Sequence, residues 1–460
     1  MMRRTGIRGC LGLGTILYVT ACFILYHHTQ DHSGQKGYPG RSPSQLTGNC
    51  AADPVNPRPT TVYVKLTEDV FLYSAFFDGR LDRPFIRLLG INNRRKNRTK
   101  LWCHFVSDVA RGVTIHHVTS VTDYEMCESH NYNFAGWIWS CVVPEVYAVQ
   151  GRQPRHVRVG LSEDIWSAPS VDMSVLGTGS RIKEPRFDFT VCVPPLFGSL
   201  TVHDIVQFVE VSRILGANHF VFYNLDTQQD LQATLNYYKS IGLVSVYPWK
   251  IPFNSVTTNR KQNIWYHGQS IAANDCLYRH MFSTKYIIFN DLDEFLVPRD
   301  PDIMSWKDLT TNLYTPELCG ISFERILFNI NKLYNVSKLR MTVFNALGRR
   351  ATPPRPTTSR KVMVEPSKVF EMGIHHVSRP WPDVAKYRVD HVSPDKAFIH
   401  HYRQKKNIRK ERKLKLQREM INDTLLFDKY GSVIFEKYIN AFRKIKKIEG
   451  IRNLSNNNLP

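Results

Sequence analysis

The sequence predicts a mixed α/β protein: a mostly parallel sheet flanked by helices, preceded by a smaller β-rich domain and an N-terminal transmembrane helix. Three observations carry that expectation. From residue 186 onward, short apolar runs alternate with segments of helical spacing, the pattern of βαβ units. Residues 60–185 hold β-like runs separated by turns, with no long helical pattern between them. Gly9 to Tyr26 carries no charge and is long enough to cross a bilayer as a helix.

Taken in chain order, Arg3, Arg4 and Arg8 precede the apolar stretch and predict a cytosolic N-terminus. The expected divisions are a cytosolic tail (1–8), a signal anchor (9–26) and a polar, Gly/Ser/Pro-rich stem (27–59). A cleaved signal peptide is the alternative; the apolar run exceeds a usual signal core and no small-x-small site follows. Sequons at Asn97, Asn335, Asn422 and Asn453 fit a lumenal chain. Seven cysteines follow the anchor, an odd number, in a compartment where disulfides persist. The net charge of +21 invites nucleic acid or anionic surfaces, and a lumenal address argues against nucleic acid.

In the β-rich domain (60–185) the strand candidates are VYVKL, DVFLYSAFF, LWCHFV, GVTIHHV, FAGWIWSCVV and RHVRVGL, with a staple expected between two of Cys103, Cys127 and Cys141. The next domain (186–403) reads strand Phe187–Val193, helix Val202–Leu215, strand His219–Tyr223, helix Asp230–Ser240, strand Leu243–Tyr247, helix Gly268–Phe282 and strand Tyr286–Phe289. HFVFY and YIIF are unbroken apolar runs, as strands buried on both faces require. Residues 404–460 read as a basic helical segment, more simply a solvated helix than an RNA-binding one.

The stretch KYIIFNDLDEFLVPR, Lys285 to Arg299, places three carboxylates within four positions at the carboxyl end of a buried strand. That end is where open α/β sheets bind ligands. Strand alternation points Asp291 and Asp293 the same way. Two carboxylates a few Å apart repel by about 1 to 4 kcal/mol, and a hard divalent cation, Mg²⁺ or Mn²⁺, offsets that repulsion. Such a cation would neutralise a departing nucleoside diphosphate. Asp293 is the expected direct ligand, Asp291 a ligand or a contact to the nucleotide or metal-bound water, and Glu294 a supporting residue. The bland alternative is a helix N-cap with acidic first-turn residues, which Phe295 to Pro298 do not continue.

CVPPLFG (from Cys192), VHDIVQFVEVSRILGANHFVFYN (from Val202), GQSIAANDCLYR (from Gly268), YIIFNDLDEFLVP, PSKVFEMGIHHV (from Pro366) and HHYR (from His400) occur in one order. That ordered set resembles glycosyltransferase family 92, over roughly Phe187 to Arg403, whose characterised members are similar to β1,4-galactosyltransferases acting on core fucose of N-glycans. The resemblance implies a GT-A-type sheet, a UDP-galactose donor, Mn²⁺, inversion at the anomeric carbon and a glycan or glycoprotein acceptor, in a Golgi type II membrane protein. It also makes Gln269 and Asp275 candidate donor contacts. His375 is one candidate for completing the metal shell, and His400 or His401 the other.

Arg403, Lys361 and Lys368 are candidates for the diphosphate. Glu324 and Asp383 are candidate general bases, and Trp381, Tyr387 and Phe328 candidate sugar-stacking rings. After ISFERILF the chain reads NINKLYN where the family pattern has a Phe-Gly turn, close to the expected acceptor region. A noncatalytic glycan-binding protein that keeps the fold, and a metal-dependent hydrolase of nucleotide-sugars, are the other readings the residues allow.

Overall fold

The computed structural model describes residues 62–96, 98–109, 113–177, 184–253, 263–330, 341–351, 360–381, 386–403 and 420–449. The anchor, the stem, Cys50, three of the sequons, Asp383 and the basic run 404–419 lie outside them. Among the described residues no helix is long and apolar enough to cross a membrane.

The predicted β-rich domain is an eight-stranded sheet made of β1 (Val64–Lys65), β2 (Val70–Asp78), β3 (Phe85–Asn93), β4 (Trp102–Val109), β5 (Val113–Glu125), β6 (Phe134–Val142), β7 (His156–Gly160) and β8 (Ser170–Leu176). Their order is β1-β2-β3-β6-β5-β4-β7-β8, and β8 pairs again with β2, so the sheet curls back on itself. Alternation sends Leu72, Leu88, Phe105, Trp139 and Val159 into its own core. The disulfide Cys103–Cys141 ties β4 to β6, one of the pairings anticipated.

The second sheet begins with four parallel strands, β9 (Phe187–Cys192), β10 (His219–Asn224), β11 (Val244–Pro248) and β12 (Thr284–Phe289), in the order β11-β10-β9-β12. The connecting helices are α1 (Val202–Leu215), α2 (Gln229–Ser240) and α3 (Gln269–His280). The α1 start is fixed by a capping box: the Asp204 N–H donates to the Thr201 hydroxyl and the Thr201 N–H to the Asp204 carboxylate. Its end is Gly216, at φ 137°, where a Cβ would come within 3.0 Å of Trp306.

Beyond β12 the sheet is mixed, with parallel and antiparallel pairs, which corrects the expectation of a mostly parallel sheet. The remaining strands are β13 (Glu294–Pro298), β14 (Leu318–Asn329), β15 (Gly348–Arg350), β16 (Arg360–Val364), β17 (Val369–Met372), β18 (Val377–Pro380), β19 (Arg388–His391), β20 (Ala397–Arg403) and β21 (Met420–Asn422). β16 lies between β12 and β14, antiparallel to both. β14 changes partners along its length: its first half pairs antiparallel with β16 and parallel with β19, and Arg325–Asn329 pairs parallel with β20, which is itself antiparallel to β13. Most of these strands return without an intervening long helix, so no βαβ rhythm marks them. Two further helices, α4 (Trp306–Leu313) and α5 (Leu425–Glu449), follow β13 and β21.

One face of the second sheet packs on α1, α2, α4 and α5 through residues such as Val209, Leu235, Trp306 and Ile434. The other face packs on α3. That helix is enclosed on both sides: Ile271, Cys276 and Leu277 share one apolar cluster with Val221 and Ile287 of the second sheet and with Phe76, Leu89 and Ile138 of the first. A second disulfide, Cys192–Cys276, joins the end of β9 to α3.

A buried ion cluster adds to that junction. Asp78 is 1% exposed and accepts hydrogen bonds from Arg80 and Arg87 at 2.8–2.9 Å, while Arg80 Nη1 also donates to the Val369 carbonyl at 2.6 Å. Burial works against the Asp78 charge, but the two guanidiniums outweigh it and hold its pKa down at about 2. The folded value lies below the unfolded one, so the stabilisation is present above pH 4 and lost as pH falls from about 4 toward 2. Its size is on the order of 2 kcal/mol. Asp78→Asn is expected to lower the melting temperature at pH 7 and to flatten its fall between pH 5 and pH 3. Melts across that range check this; parallel curves for the two proteins would count against it.

Candidate active site

The acidic stretch sits where the sequence put it, at the carboxyl end of β12, but its backbone does not continue as a strand. β12 stops at Phe289, and Asp291–Glu294 form a turn closed by the Glu294 N–H donating to the Asp291 carbonyl at 3.0 Å. Strand alternation therefore does not apply to Asp291 and Asp293, and they reach different partners. Asp291 lies 3.4 Å from Lys361 Nζ. Asp293 Oδ2 lies 3.3 Å from His401 Nε2, and its carbonyl accepts from the Tyr402 N–H at 2.8 Å. Both aspartates are about two-fifths exposed, 37% and 41%, on the rim of the sheet.

Glu294 is the buried member. It begins β13, is fully enclosed, and receives Lys361 Nζ and Arg325 Nη1 at 2.9 Å each; its Oε2 also accepts from the Asp291 N–H at 3.1 Å. Burial opposes its charge, but Lys361, His401 and Arg325 prevail and its pKa lies below the usual carboxylate value. Lys361 is held in the charged form reciprocally: burial pulls its pKa down, and Asp291 and Glu294 push it above normal. Three carboxylates thus face two fixed cations. Asp291 and Glu294 are neutralised within the protein, whereas among the described residues Asp293 is paired only with an imidazole.

This distribution decides how a divalent cation fits. Asp293, Glu294 and His401 each offer a ligand atom within 4.8 Å of the others. Glu294 is already committed to Lys361 and Arg325. His401 is 6% exposed, and its Nε2 is buried without a well-formed hydrogen bond among the described residues. An aspartate oxygen and an imidazole nitrogen converging at the rim suit Mn²⁺ or Mg²⁺, with the remaining positions open to diphosphate and water. Asp291, expected among the ligands, is instead paired with Lys361.

The two histidine pairs separate cleanly. On β20, successive side chains alternate. His401 faces the acidic turn, whereas His400 is buried between Phe328 and Phe398, with ring centroids 4.3 and 4.9 Å away. Burial holds His400 neutral, its pKa pushed down to about 3. His375 Nδ1 donates to the Arg360 carbonyl at 3.0 Å. Burial, then Lys361 and Arg325, lower its pKa. It borders the charged network but is not in the group with Asp293. Arg403 follows His401 by two on the same strand and is exposed.

Gln269, the first residue of α3, is buried and lines a small pocket beside the turn with Cys192, Pro194, Phe289 and Lys361. Asp275 is elsewhere, which corrects its assignment as a donor contact. It is fully buried in α3, gripped by Arg279 through two bonds of 2.9 Å and by the Tyr223 hydroxyl at 2.6 Å, leaving both oxygens occupied by protein. Lys368 Nζ binds the Pro316 carbonyl at 2.9 Å and Glu365 at 2.8 Å rather than facing the site. Phe328 is in the core, and Trp381 packs on Phe370 and Arg87. Tyr387 packs against the inter-sheet cluster.

Glu324 stands beside Arg325 where β14 changes partner. Apolar alternation slips there: Ile321, Phe323, Ile326 and Phe328 all face one core, so one position is skipped and Glu324 and Arg325 both point away from it. Glu324 Oε1 lies 3.3 Å from His391 Nε2, and Oε2 is buried with no hydrogen-bond partner among the described residues. Asp383 lies outside the described residues.

Two features escaped sequence reasoning. Arg325 was readable only as the residue after Glu324. The segment Trp265–Gly268 carries left-handed backbone at Tyr266 (φ 42°) and His267 (φ 57°), followed by Gly268 (φ 75°), immediately before Gln269. Non-glycine residues there cost of order 1–3 kcal/mol each and concentrate at functional positions. Phe197 packs on His267, with ring centroids 4.2 Å apart, and holds the segment against the loop after β9.

An acidic turn on the carboxyl edge of an α/β sheet, with cations beside it and one carboxylate–histidine pair at its rim, is an arrangement that fits the glycosyltransferases. Within that class the chain belongs to glycosyltransferase family 92, whose model matches residues 187–434, more than half of its length. A Caenorhabditis elegans protein named Beta-1,4-galactosyltransferase galt-1 is 26% identical over 383 residues, covering 81% of this chain and 82% of that one. An Arabidopsis thaliana protein named Galactan beta-1,4-galactosyltransferase GALS2 is 24% identical over 238 residues, covering 50% of this chain and 43% of that one. Among solved structures, S. aureus TarS 1-349 is similar with a TM-score of 0.27 and 12% identity, over 58% of this chain and 75% of that one, too distant to inform the site.

Proposed function

We propose that the chain moves galactose from UDP-galactose to a hydroxyl of a glycan acceptor, with inversion and with a divalent cation, as a type II membrane protein facing the Golgi lumen. The observation that carries this reading is the pairing of Asp293 with His401 at 3.3 Å beside a turn whose other carboxylates are already neutralised. Galactose as the donor sugar rests on the relatives' printed names, and the lumenal address on the uncharged N-terminal stretch and the sequons.

Asp293 and His401 would hold Mn²⁺ or Mg²⁺, which neutralises the charge that develops on the leaving diphosphate. Lys361 and Arg325 keep Glu294 ionised and fix the turn, so Asp293 is presented without rearrangement. Arg403, on the same face of β20 as His401, pairs with the diphosphate. Gln269 contacts the donor from the pocket. Glu324, through its unpartnered Oε2, takes the proton from the acceptor hydroxyl as the new C1–O bond forms and the bond to UDP breaks.

Release of UDP from UDP-galactose, UDP-glucose and UDP-N-acetylhexosamines, with a core-fucosylated N-glycan and other glycans as acceptors, tests the reading. Turnover with UDP-galactose, lost on chelation and restored by Mn²⁺, is the expected result. Turnover indifferent to chelation would remove the cation. UDP released equally well without any acceptor would make the protein a hydrolase, and glycan binding with no turnover would make it a scaffold.

A further inference from the structure

The first sheet carries a cleft of its own. About 620 Å³ in size, it is lined by residues of β4, β5 and β7 and of the loops after β6 and β7, on a different domain from the acidic turn. Two kinds of group meet there. The first is cationic: Arg152, Arg155 and Arg158 all line it. Arg158 is matched by Asp172 at 2.7 and 2.8 Å, whereas among the described residues neither Arg152 nor Arg155 has an acidic partner.

The second is a buried acceptor. His104 is 1% exposed, and its ring stacks on His116 with centroids 5.2 Å apart. Its Nε2 faces the Ser162 carbonyl at 3.0 Å and so carries the proton. Its Nδ1 is left as a lone pair that meets no donor among the described residues. A buried acceptor without a partner is unfavourable, and a ligand hydroxyl would satisfy it. Trp166, 86% exposed on the same cleft, supplies a free aromatic face.

We infer that this cleft binds an acidic sugar: a hydroxyl donates to His104 Nδ1, a ring lies on Trp166, and a sulfate, phosphate or carboxylate group pairs with Arg152 and Arg155. A neutral sugar leaves the two arginines unmatched, and a bare oxyanion leaves His104 and Trp166 unused. The site is independent of the acidic turn, so it holds whether or not the proposed galactose transfer does.

Calorimetric titration of the full chain with 6′-sulfolactose, 6′-sialyllactose, lactose and inorganic sulfate tests it. At least one of the two acidic sugars is expected to bind ten times or more tighter than both lactose and inorganic sulfate. Arg152→Ala with Arg155→Ala should weaken that binding at least tenfold while leaving the melting temperature and UDP release unchanged. His104→Gln, which keeps the side chain polar, should weaken it separately. Equal binding by lactose, equal binding by inorganic sulfate, no binding of either acidic sugar, or binding indifferent to the double arginine variant would each overturn the assignment.

Discussion

Asp293→Ala is expected to cut the rate of UDP release by roughly 10²–10³-fold, equivalent to about 3–4 kcal/mol of lost transition-state stabilisation. The melting temperature should stay within a degree or two. The side chain is 41% exposed and, among the described residues, its carboxylate pairs only with His401, so little of the fold depends on it. His401→Ala should show a smaller loss that excess Mn²⁺ partly restores, because one ligand of the pair remains. Asp291→Ala should lose less activity than either, since its carboxylate is already matched by Lys361 at 3.4 Å. Rates measured across a Mn²⁺ series for the three variants separate these cases. An Asp293→Ala protein as active as the parent at every Mn²⁺ concentration would end the metal assignment.

The largest effect on stability belongs to the neighbouring residue. Glu294→Ala leaves the buried Lys361 and the partly buried Arg325 with their shared counter-ion gone, although Asp291 still reaches Lys361. Removing one partner from a buried ionic cluster costs about 3–5 kcal/mol, because the desolvated charges left behind find no compensation. At roughly 2–4 °C per kcal/mol, the melting temperature should fall by about 10 °C. Combining Glu294→Ala with Lys361→Met should recover part of that loss, since a cation is removed along with its anion. A single Glu294→Ala variant that melts with the parent would show that the network contributes nothing net.

How much of this could be read beforehand follows from what local pattern encodes. The four parallel strands and α1 to α3 were legible because each buries an apolar run or stripe whose spacing is written in consecutive residues; α1 runs from Val202 to Leu215 as its spacing indicates. The position of the acidic stretch after β12 was legible for the same reason. Its internal geometry was not. Whether Asp291 and Asp293 point together depends on where the strand stops, and the turn closing at Glu294 is set by β13 pairing with β20, more than a hundred residues later. The neutralisation of Glu294 was hidden likewise, since Arg325 and Lys361 arrive from β14 and β16. His400 and His401 are adjacent in sequence and opposite in role, which only the register of β20 resolves. Asp275 was a candidate through the family resemblance, and nothing local marks that α3 is covered on both sides.

That double covering of α3 bears on how the protein can be divided. The stretch matched by the family, 187–434, begins after the first sheet ends. Yet the outward side of α3 rests on Phe76, Leu89 and Ile138, and Arg80 reaches across to the Val369 carbonyl. A chain trimmed to the matched stretch would carry an oily stripe with nothing over it, next to the pocket that Gln269 lines. The segment that the family model matches is therefore smaller than the segment that folds, and the first sheet serves as the missing wall of its neighbour's house.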